Sequence, residues 1–449
     1  SHSTSENKTQ YEMTKKFYTQ LLALIAILCY PINLRADDYS LAPSTGRKVY
    51  VPIHAQSAKG QLSITNYGKA TVQDFTYTLS FEGRLLLEKK HIMEEPLPRM
   101  GVATVEIDVP PYDQLSETEL QIEITKVNGE PNRATIPYAN LPRVTVTQVP
   151  HRRVVVEEYT GMWCQYCPRG IALMENLENT YPDDFIGIAI HVSDPLKCAD
   201  YAWNAAKVQN YPTLQMNRSR TLTYYTGTSE FEEEKAMGAD MDIDVSAQWD
   251  KQKENITVMP SVTFRVSPKE SAYAVAYVLT EDGMTKSSWK QNNIFAGDAS
   301  LRGISAELDK FINAPFAVKG LPNNFTAIAA KGVYTPTEED YIKTPIEVDK
   351  RQSFEHVFNI SNNNLLQDKS KLKVCVLLIN LNTKKIENAA KCSITDAIST
   401  GISSTTEEQK RTVEIARYTL DGRRIQAPQK GLNLVKYSDG RVRKEIVTR

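Results

Sequence analysis

Between about residues 48 and 149, hydrophobic and polar positions alternate with a period of two. The pattern is clearest in Phe75–Phe81, Val105–Val109 and Leu120–Ile124. Because successive side chains of a strand point to opposite faces, each stretch predicts a strand with one buried face. Asn128-Gly129 follows the third stretch and is typical of a turn. Several such strands in succession predict a β-sandwich-like domain over residues 37–149.

At residue 150 the pattern changes from alternation to uninterrupted apolar runs. Val154-Val155-Val156 predicts a strand buried on both faces. The elements predicted after it are, in order, a helix with a stripe from Ile171 to Leu177, a buried strand Phe185–Val192, a helical segment Tyr201–Val208, a short strand Thr213–Met216 and a polar helix Glu230–Met237. This alternation of strands and helices predicts an α/β unit over residues 150–238.

Beyond residue 239 the period-two pattern returns and predicts a second β-rich domain to residue 396. Its last two strands, Leu372–Ile379 and Ile386–Ile394, form a predicted hairpin. Residues 397–411 resemble a flexible linker in composition, and residues 412–449 predict a small β domain. The expected fold class is therefore multidomain, with a central α/β unit flanked by β-sandwich-like domains and followed by a small C-terminal β tail.

The first 36 residues carry the pattern of an upstream extension and a secretory signal. Lys15 and Lys16 precede the short apolar run Leu21–Leu28, and a small residue, Ala36, stands before Asp37. This order predicts export, with a mature chain that begins near Asp37. A buried core helix is the alternative. Lipid attachment at Cys29 stays open, although Leu28 is not the small residue that usually precedes a lipidated cysteine.

Composition excludes some classes of partner. The 449 residues are 41% hydrophobic and 24% charged, with a formal net charge of −1. No long basic run favours nucleic acid, and no transmembrane span is expected in the mature chain. Export would place five cysteines in an oxidising compartment. Because five is odd, at least one thiol should be free or should pair with another molecule.

The residues that carry chemistry are Cys164 and Cys167, which are separated by Gln165-Tyr166. Two thiols at this spacing can close a small ring at the start of a helix, where unpaired amide groups stabilise a thiolate. A lone pair of this kind is also compatible with half of a zinc site or with a structural disulfide. No second such pair and no suitably spaced histidine supports zinc, so no metal or cofactor is expected.

The segment from Trp163 to Cys167, following a strand, resembles the thioredoxin superfamily. That resemblance implies a cis-proline at Pro212, between Tyr211 and Thr213, which would form a substrate-binding surface with Trp163. It also implies that Glu158 is the buried acid that assists proton transfer, with Cys164 as the exposed nucleophile and Cys167 as the resolving thiol. An ordinary surface carboxylate is the alternative at Glu158.

Two features depart from the superfamily pattern. Gln165-Tyr166 replaces the usual Gly-Pro between the cysteines, and Pro168 lacks the N–H of a helix ladder, which predicts an irregular helix start. Cys198 is not required by the basic fold and is either a third redox thiol or a buried core residue.

Two narrower resemblances concern the arrangement of the whole chain. Trp163–Gly170 is similar to the motif of Omp28-related outer-membrane and surface proteins, and Tyr418–Arg424 with Lys430-Gly431-Leu432 resembles Por (type IX) secretion sorting domains. A small β appendage without a sorting role is the alternative for the tail. The implied location is the periplasm, outer membrane or cell surface of a Gram-negative bacterium.

Two function classes compete. The first is an exported thiol–disulfide oxidoreductase that acts on the thiols and disulfides of exported proteins. The second is a surface or outer-membrane binding protein, adhesin-like, whose α/β unit is a scaffold and whose partners are other surface proteins.

The predicted hairpin near residue 380 also suggests a disulfide. A two-residue loop at Thr383-Lys384 would place Cys375 opposite Cys392, which predicts a structural disulfide, with two reduced core thiols as the alternative.

Overall fold

The computed structural model describes residues 37–201, 208–223, 225–270, 272–397, 414–419, 423–425, 427–437 and 442–447. The chain divides into two compact units, which meet in sequence between Ala397 and Ile398. The predicted signal segment with Cys29 and the linker from residue 398 onward lie outside the described residues. So do Asp421-Gly422 and Asp439-Gly440, two pairs whose sequence predicts turns in the tail. The other predicted domain boundaries, at 149/150 and 238/239, remain proposals within the first unit.

The N-terminal region consists of nine strands in two sheets. The strands are β1 (Leu41–Ser44), β2 (Val49–Pro52), β3 (Ala58–Asn66), β4 (Val72–Phe81), β5 (Arg84–Leu97), β6 (Val102–Val109), β7 (Ser116–Val127), β8 (Glu130–Pro131) and β9 (Tyr138–Val146). One sheet has the order β1-β3-β6, and the other has the order β2-β9-β7-β4-β5 with β8 paired to β7.

The core between these sheets follows the predicted alternation. Phe75, Tyr77 and Leu79 of β4 are buried in a single hydrophobic cluster together with Leu62 and Ile107 from the other sheet. The predicted turn after β7 is present, and Asn128 and Gly129 both have positive φ angles, as a two-residue hairpin turn requires. The sequence prediction of a β-sandwich-like N-terminal region is confirmed at this level.

The rest of the first unit holds three helices and fourteen strands within its described residues. The helices are α1 (Pro168–Thr180), α2 (Ser229–Lys235) and α3 (Ala306–Ile312). The strands are β10 (Val154–Thr160), β11 (Phe185–His191), β12 (Thr213–Met216), β13 (Arg220–Thr221), β14 (Met241–Trp249), β15 (Asn255–Phe264), β16 (Tyr273–Glu281), β17 (Lys290–Asn292), β18 (Ala317–Lys319), β19 (Thr326–Lys331), β20 (Arg351–Ser353), β21 (His356–Asn359), β22 (Leu372–Asn380) and β23 (Ile386–Thr395).

Most of these strands belong to one twelve-stranded sheet. Its order is β13-β12-β10-β11-β19-β16-β22-β23-β14-β15-β20, with β21 paired to β15. The strand–helix–strand segment β10-α1-β11 is parallel and is continuous with the later strands through β19. The sheet therefore runs across the predicted boundary at residue 238. No helix in the described ranges is long and apolar enough to cross a membrane.

Neighbouring residues of β10 face opposite sides of this sheet. Val154 and Val156 pack with α1 residues such as Leu173 and Met174. Val155 and Tyr159 belong to a separate cluster on the other face. Because side chains alternate along a strand, the adjacent carboxyls Glu157 and Glu158 also separate, and only Glu158 lies on the face that α1 covers.

The hairpin β22–β23 is present, but its predicted disulfide is wrong. Cys375 lies opposite Lys391, and Cys392 lies opposite Val374. The loop is longer than the predicted Thr383-Lys384, because Ile379 pairs with Ile386, and the irregularity between Leu378 and Ile379 leaves the two strands one residue away from the predicted register. A one-residue shift turns a side chain to the other face of a sheet. Cys375 consequently packs in one hydrophobic cluster and Cys392 against another, and both are free thiols.

These two cysteines are expected to remain reduced even after exposure to oxidant. Burial raises the pKa of Cys375 to about 12 and that of Cys392 to about 11, so neither forms the reactive thiolate at neutral pH. Denaturation without reductant in the presence of an alkylating agent should label both residues, as peptide mapping would show. Recovery of a linked Cys375–Cys392 peptide would contradict the register.

The second unit is a small antiparallel sheet. Its strands are β24 (Glu414–Thr419), β25 (Arg424–Ile425), β26 (Gly431–Tyr437) and β27 (Val442–Val447), in the order β25-β24-β26-β27. Arg417 is largely buried within it and pairs with Glu414 and Glu445 at 2.8 and 2.7 Å. The predicted small β tail is therefore present. Its sorting role stays a proposal.

Candidate functional site

Cys164 and Cys167 form a disulfide in the loop that joins β10 to α1, with their Cα atoms 5.4 Å apart. Cys167 is the N-cap residue of α1, and its carbonyl accepts hydrogen bonds from the amides of Gly170 and Ile171. The amide of Cys167 in turn donates to the carbonyl of Cys164 at 3.3 Å. The pair thus lies at a helix N-terminus, where the helix dipole stabilises negative charge.

Pro168 is accommodated at the start of this helix, and Cys167 before it has helical backbone angles and no side-chain cap. Pro168 occupies the first helical position, where an amide N–H would have no intrahelical acceptor and where the fixed φ of proline suits the helix. The proline therefore helps to fix where α1 begins, directly after the second cysteine.

The expectation that Cys164 meets solvent is wrong for this disulfide form. Cys164 is 4% exposed and Cys167 is 0% exposed. The exposed side chains of the loop are instead Trp163 and Tyr166, at 46% and 45%. Neighbouring chain segments that pack along the loop remove the cysteines from water.

Trp163 and Tyr211 come together beside the disulfide. Their rings meet edge to face with centroids 5.2 Å apart, and the Trp163 indole N–H donates to the carbonyl of Val192 at 2.7 Å. The Tyr211-Pro212 bond is cis, as the superfamily resemblance implied. Thr213 begins β12 and is paired with Tyr159 of β10. The four predicted substrate-binding residues therefore lie around the β10–α1 loop.

Glu158 is buried beneath the first turn of α1, which excludes the surface-carboxylate alternative. It is 2% exposed, and its Oε1 atom has no hydrogen-bond partner. That atom lies 2.5 Å from where a Cβ would stand at Gly170, so a larger residue there would displace the carboxyl. Burial, with a smaller contribution from the charge of Glu175, raises the pKa of Glu158 to about 8. Glu158 is thus a protonated acid at neutral pH.

A cavity of about 10 Å³ borders the Glu158 side chain. Thr160, Glu175 and His191 contribute to its wall, and the Thr160 hydroxyl is buried without a partner. A space of this size, with polar groups in part of its wall, is about the minimum for a single water molecule. Burial also raises the pKa of Glu175, the second carboxyl that borders this cavity.

Comparisons with known proteins find solved structures that match this chain at low similarity. No protein-family model matches the chain, and no curated protein matches it. Among solved structures, HBP35 of Porphyromonas gingivalis is similar at 13% identity and a TM-score of 0.40, over 66% of this chain and 98% of that one. A domain of the outer membrane lipoprotein Omp28 from Porphyromonas gingivalis matches at 9% identity and a TM-score of 0.19, over 35% and 90%.

A CARDB domain from Pyrococcus furiosus, solved in complex with di-metal ions, is similar to a smaller part of the chain. The identity is 14% and the TM-score 0.19, over 25% of this chain and 97% of that domain. None of these similarities assigns a chemical activity. In the described part of this chain, no group of three or more His, Cys, Asp or Glu residues is arranged to hold a metal ion.

Cys198 is a buried thiol rather than part of the disulfide. It is 3% exposed within the cluster that contains Tyr159 and Tyr201. Burial raises its pKa to about 11, which keeps the thiol protonated at neutral pH. The helical segment predicted to follow it lies mostly outside the described residues. Of the two interpretations of Cys198, the structure favours the core cysteine.

Some residues that hold the loop were not predicted from the sequence. The carboxylate of Asp194 accepts from the amide of Met162 at 3.0 Å and from that of Leu196 at 2.8 Å, and it contacts His191 Nδ1 at 2.7 Å. Burial alone would raise the pKa of Asp194, but the bond and charge of His191 and the two amides lower it overall. Polar residues of the segment 291–294 were missed as well. Its amide-rich sequence, Gln291-Asn292-Asn293, was the available signal.

Proposed function

We propose that this protein is an exported thiol–disulfide oxidoreductase with a thioredoxin-like active site. The observation that carries the proposal is the Cys164–Cys167 disulfide at the N-terminus of α1, with the protonated carboxyl of Glu158 buried beneath it. A structural cross-link has no use for an unpaired buried acid, which costs folding free energy. Proton exchange with a cysteine thiol gives that acid a function.

The proposed reaction has two balanced steps. The Cys164 thiolate attacks one sulfur of a disulfide in an exported protein, which forms a mixed disulfide and releases one partner thiolate. Cys167, deprotonated as its sulfur attacks Cys164, closes the internal disulfide and releases the second partner thiolate. In the second step the ionised fraction of Glu158 would accept the proton of Cys167 and pass it to water. Trp163 with Tyr211 would contact the partner chain.

The test is mixed-disulfide trapping with the full chain. Cys167→Ser should accumulate a mixed disulfide with insulin through Cys164, because the second step cannot occur. Cys164→Ser should accumulate none and should reduce no insulin. Cys198→Ser, which changes a buried thiol outside the pair, is the matched control and should retain wild-type insulin reduction. If neither active-site variant yields an adduct on non-reducing gels, the oxidoreductase proposal fails.

A second candidate is a surface or outer-membrane binding protein in which the pair only cross-links the loop. The observation in its favour is the edge strand β5, which has 14 residues and exposes Ile92 and Leu85 at 72% and 58%. An unpaired edge of this length can pair with an added strand from another protein. Absence of both adducts, together with equal alkylation of Cys164 and Cys167 after reduction, would favour this candidate.

A further inference from the structure

Five successive carbonyl groups of the disulfide loop are held by one distant segment of the chain. The loop carbonyls belong to residues 161–165, and the donors belong to residues 291–294, which we name the clamp segment. The bonds are Gln291 Nε2 to Gly161 O at 3.4 Å and to Cys164 O at 2.9 Å, Asn292 N to Met162 O at 2.9 Å, Asn292 Nδ2 to Trp163 O at 2.9 Å, and Ile294 N to Gln165 O at 3.0 Å.

The clamp segment is itself fixed to the elements around it. Its strand β17 pairs with β18, and the Asn293 side chain donates to the carbonyls of Phe311 and Pro315. Phe311 belongs to α3, which packs on Ala172 of α1. Gln291 and Asn293 are buried, so their hydrogen bonds are shielded from competition with water. The loop is therefore held from both sides, by α1 and by the clamp segment.

We propose that Gln291 and Asn292 are positioning residues that set the reduction potential of the Cys164–Cys167 pair by favouring its disulfide form. The inference rests on the proposed exchange function. The clamp bonds are present with the disulfide closed. Holding the loop in that shape keeps the two sulfurs close and so raises their effective concentration for ring closure. By linkage, closing the disulfide must stabilise the clamp bonds to the same extent.

The reaction that measures this effect is oxidation by glutathione disulfide. The Cys164 and Cys167 thiols lose two protons and two electrons as their S–S bond forms, while one glutathione disulfide is reduced to two glutathione thiols. The equilibrium constant follows from the fraction of protein disulfide at defined ratios of glutathione disulfide to glutathione. Alkylation of the remaining thiols reports that fraction.

Gln291→Met is the informative variant because methionine has a similar length and no N–H donor. Loss of one or two hydrogen bonds should lower the oxidation equilibrium constant roughly 3- to 10-fold. For a two-electron couple this corresponds to a potential about 14 to 30 mV less negative. Lys290→Met changes an exposed side chain in the same strand and should leave the constant unchanged. An unchanged constant in Gln291→Met would overturn the inference.

Hydrogen exchange on the wild-type chain gives a second test that needs no variant. The amides of Asn292 and Ile294 donate to the loop, so they should exchange roughly 3- to 10-fold faster after reduction of the disulfide by a phosphine, according to the same linkage. Equal exchange in both forms would overturn the inference. Failure of the pair to equilibrate with glutathione would instead count against the proposed function, and the exchange experiment would still test the clamp.

Discussion

Between pH 5 and pH 8 the wild-type protein is expected to lose about 3 to 4 kcal/mol of unfolding free energy through Glu158, and Glu158→Gln should lose none of it. Burial raises the pKa of Glu158 from 4.5 to about 8 in the folded protein. Between these values the folded state keeps a proton that the unfolded chain releases. Stability must therefore fall as pH rises through this range.

Denaturant unfolding at a series of pH values measures this effect. Subtracting the Glu158→Gln profile from the wild-type profile should give a difference that grows steadily from pH 5 and levels off above pH 8. Glu123→Gln removes an exposed carboxyl from β7 and should follow the wild-type profile. Parallel profiles for wild type and Glu158→Gln would show that the carboxyl ionises in the folded protein as it does in water.

The same variant should slow exchange without altering which thiol reacts first. A positioned acid or base commonly contributes roughly 100-fold or more to a proton-transfer step. Glu158→Gln should therefore lower the rate at which Cys167 resolves a mixed disulfide, while the initial attack by Cys164 is less affected. A resolution rate equal to that of wild type would remove Glu158 from the mechanism.

Arg218→Met is expected to destabilise the first unit by about 3 to 5 kcal/mol, because it leaves a charge buried without its partner. Glu157 is fully buried and pairs with Arg218 through two bonds, at 2.7 and 2.9 Å. Tyr201 donates to the same carboxylate, and the guanidinium lies over the ring of Tyr334 at 4.8 Å. The β12–β13 turn carries Arg218 and brings its guanidinium to Glu157 of β10.

The matched control for this prediction is on the same hairpin. Arg220 pairs with Glu233 at 2.8 Å, but both side chains are substantially exposed. Exposed pairs contribute about 0 to 1 kcal/mol, so Arg220→Met should change the unfolding free energy by no more than that. Adding Glu157→Gln to Arg218→Met should recover part of the loss, since the uncompensated charge is removed. Equal losses for Arg218→Met and Arg220→Met would contradict the argument.

The positions of many strands could be predicted from the sequence, because hydrophobic and polar residues alternate along a strand that buries one face. Phe75 and Tyr77 in β4 are examples, and the predicted short strand Thr213–Met216 matches β12 residue for residue. The helix after Cys167 was likewise marked by its apolar stripe. Local pattern decides these elements because each is stabilised by the face that it buries.

Local sequence patterns did not predict the register of strand pairing or the contacts between residues distant in sequence. The irregularity at Leu378 moved Cys375 and Cys392 to opposite faces, and no local signal in the hairpin marks that shift. The clamp segment is over 120 residues from the loop it holds, so only the completed sheet brings the two together. Cys164 was not predicted to be buried for the same reason, because the segments that cover it are distant in sequence.

The sequence by itself determined the candidate chemistry: two cysteines one turn apart at a helix start, an acid on the preceding strand and a proline before a later strand. Periodicity places the cysteine pair between a strand and a helix, and the resemblance to the thioredoxin superfamily implied the acid and the proline. The tertiary structure decided the state of each group. Burial without a partner makes Glu158 a protonated acid, a buried arginine keeps Glu157 in an ion pair, and Gln291 holds the loop. Such properties depend on solvent exclusion and on residues distant in sequence, which folding alone supplies.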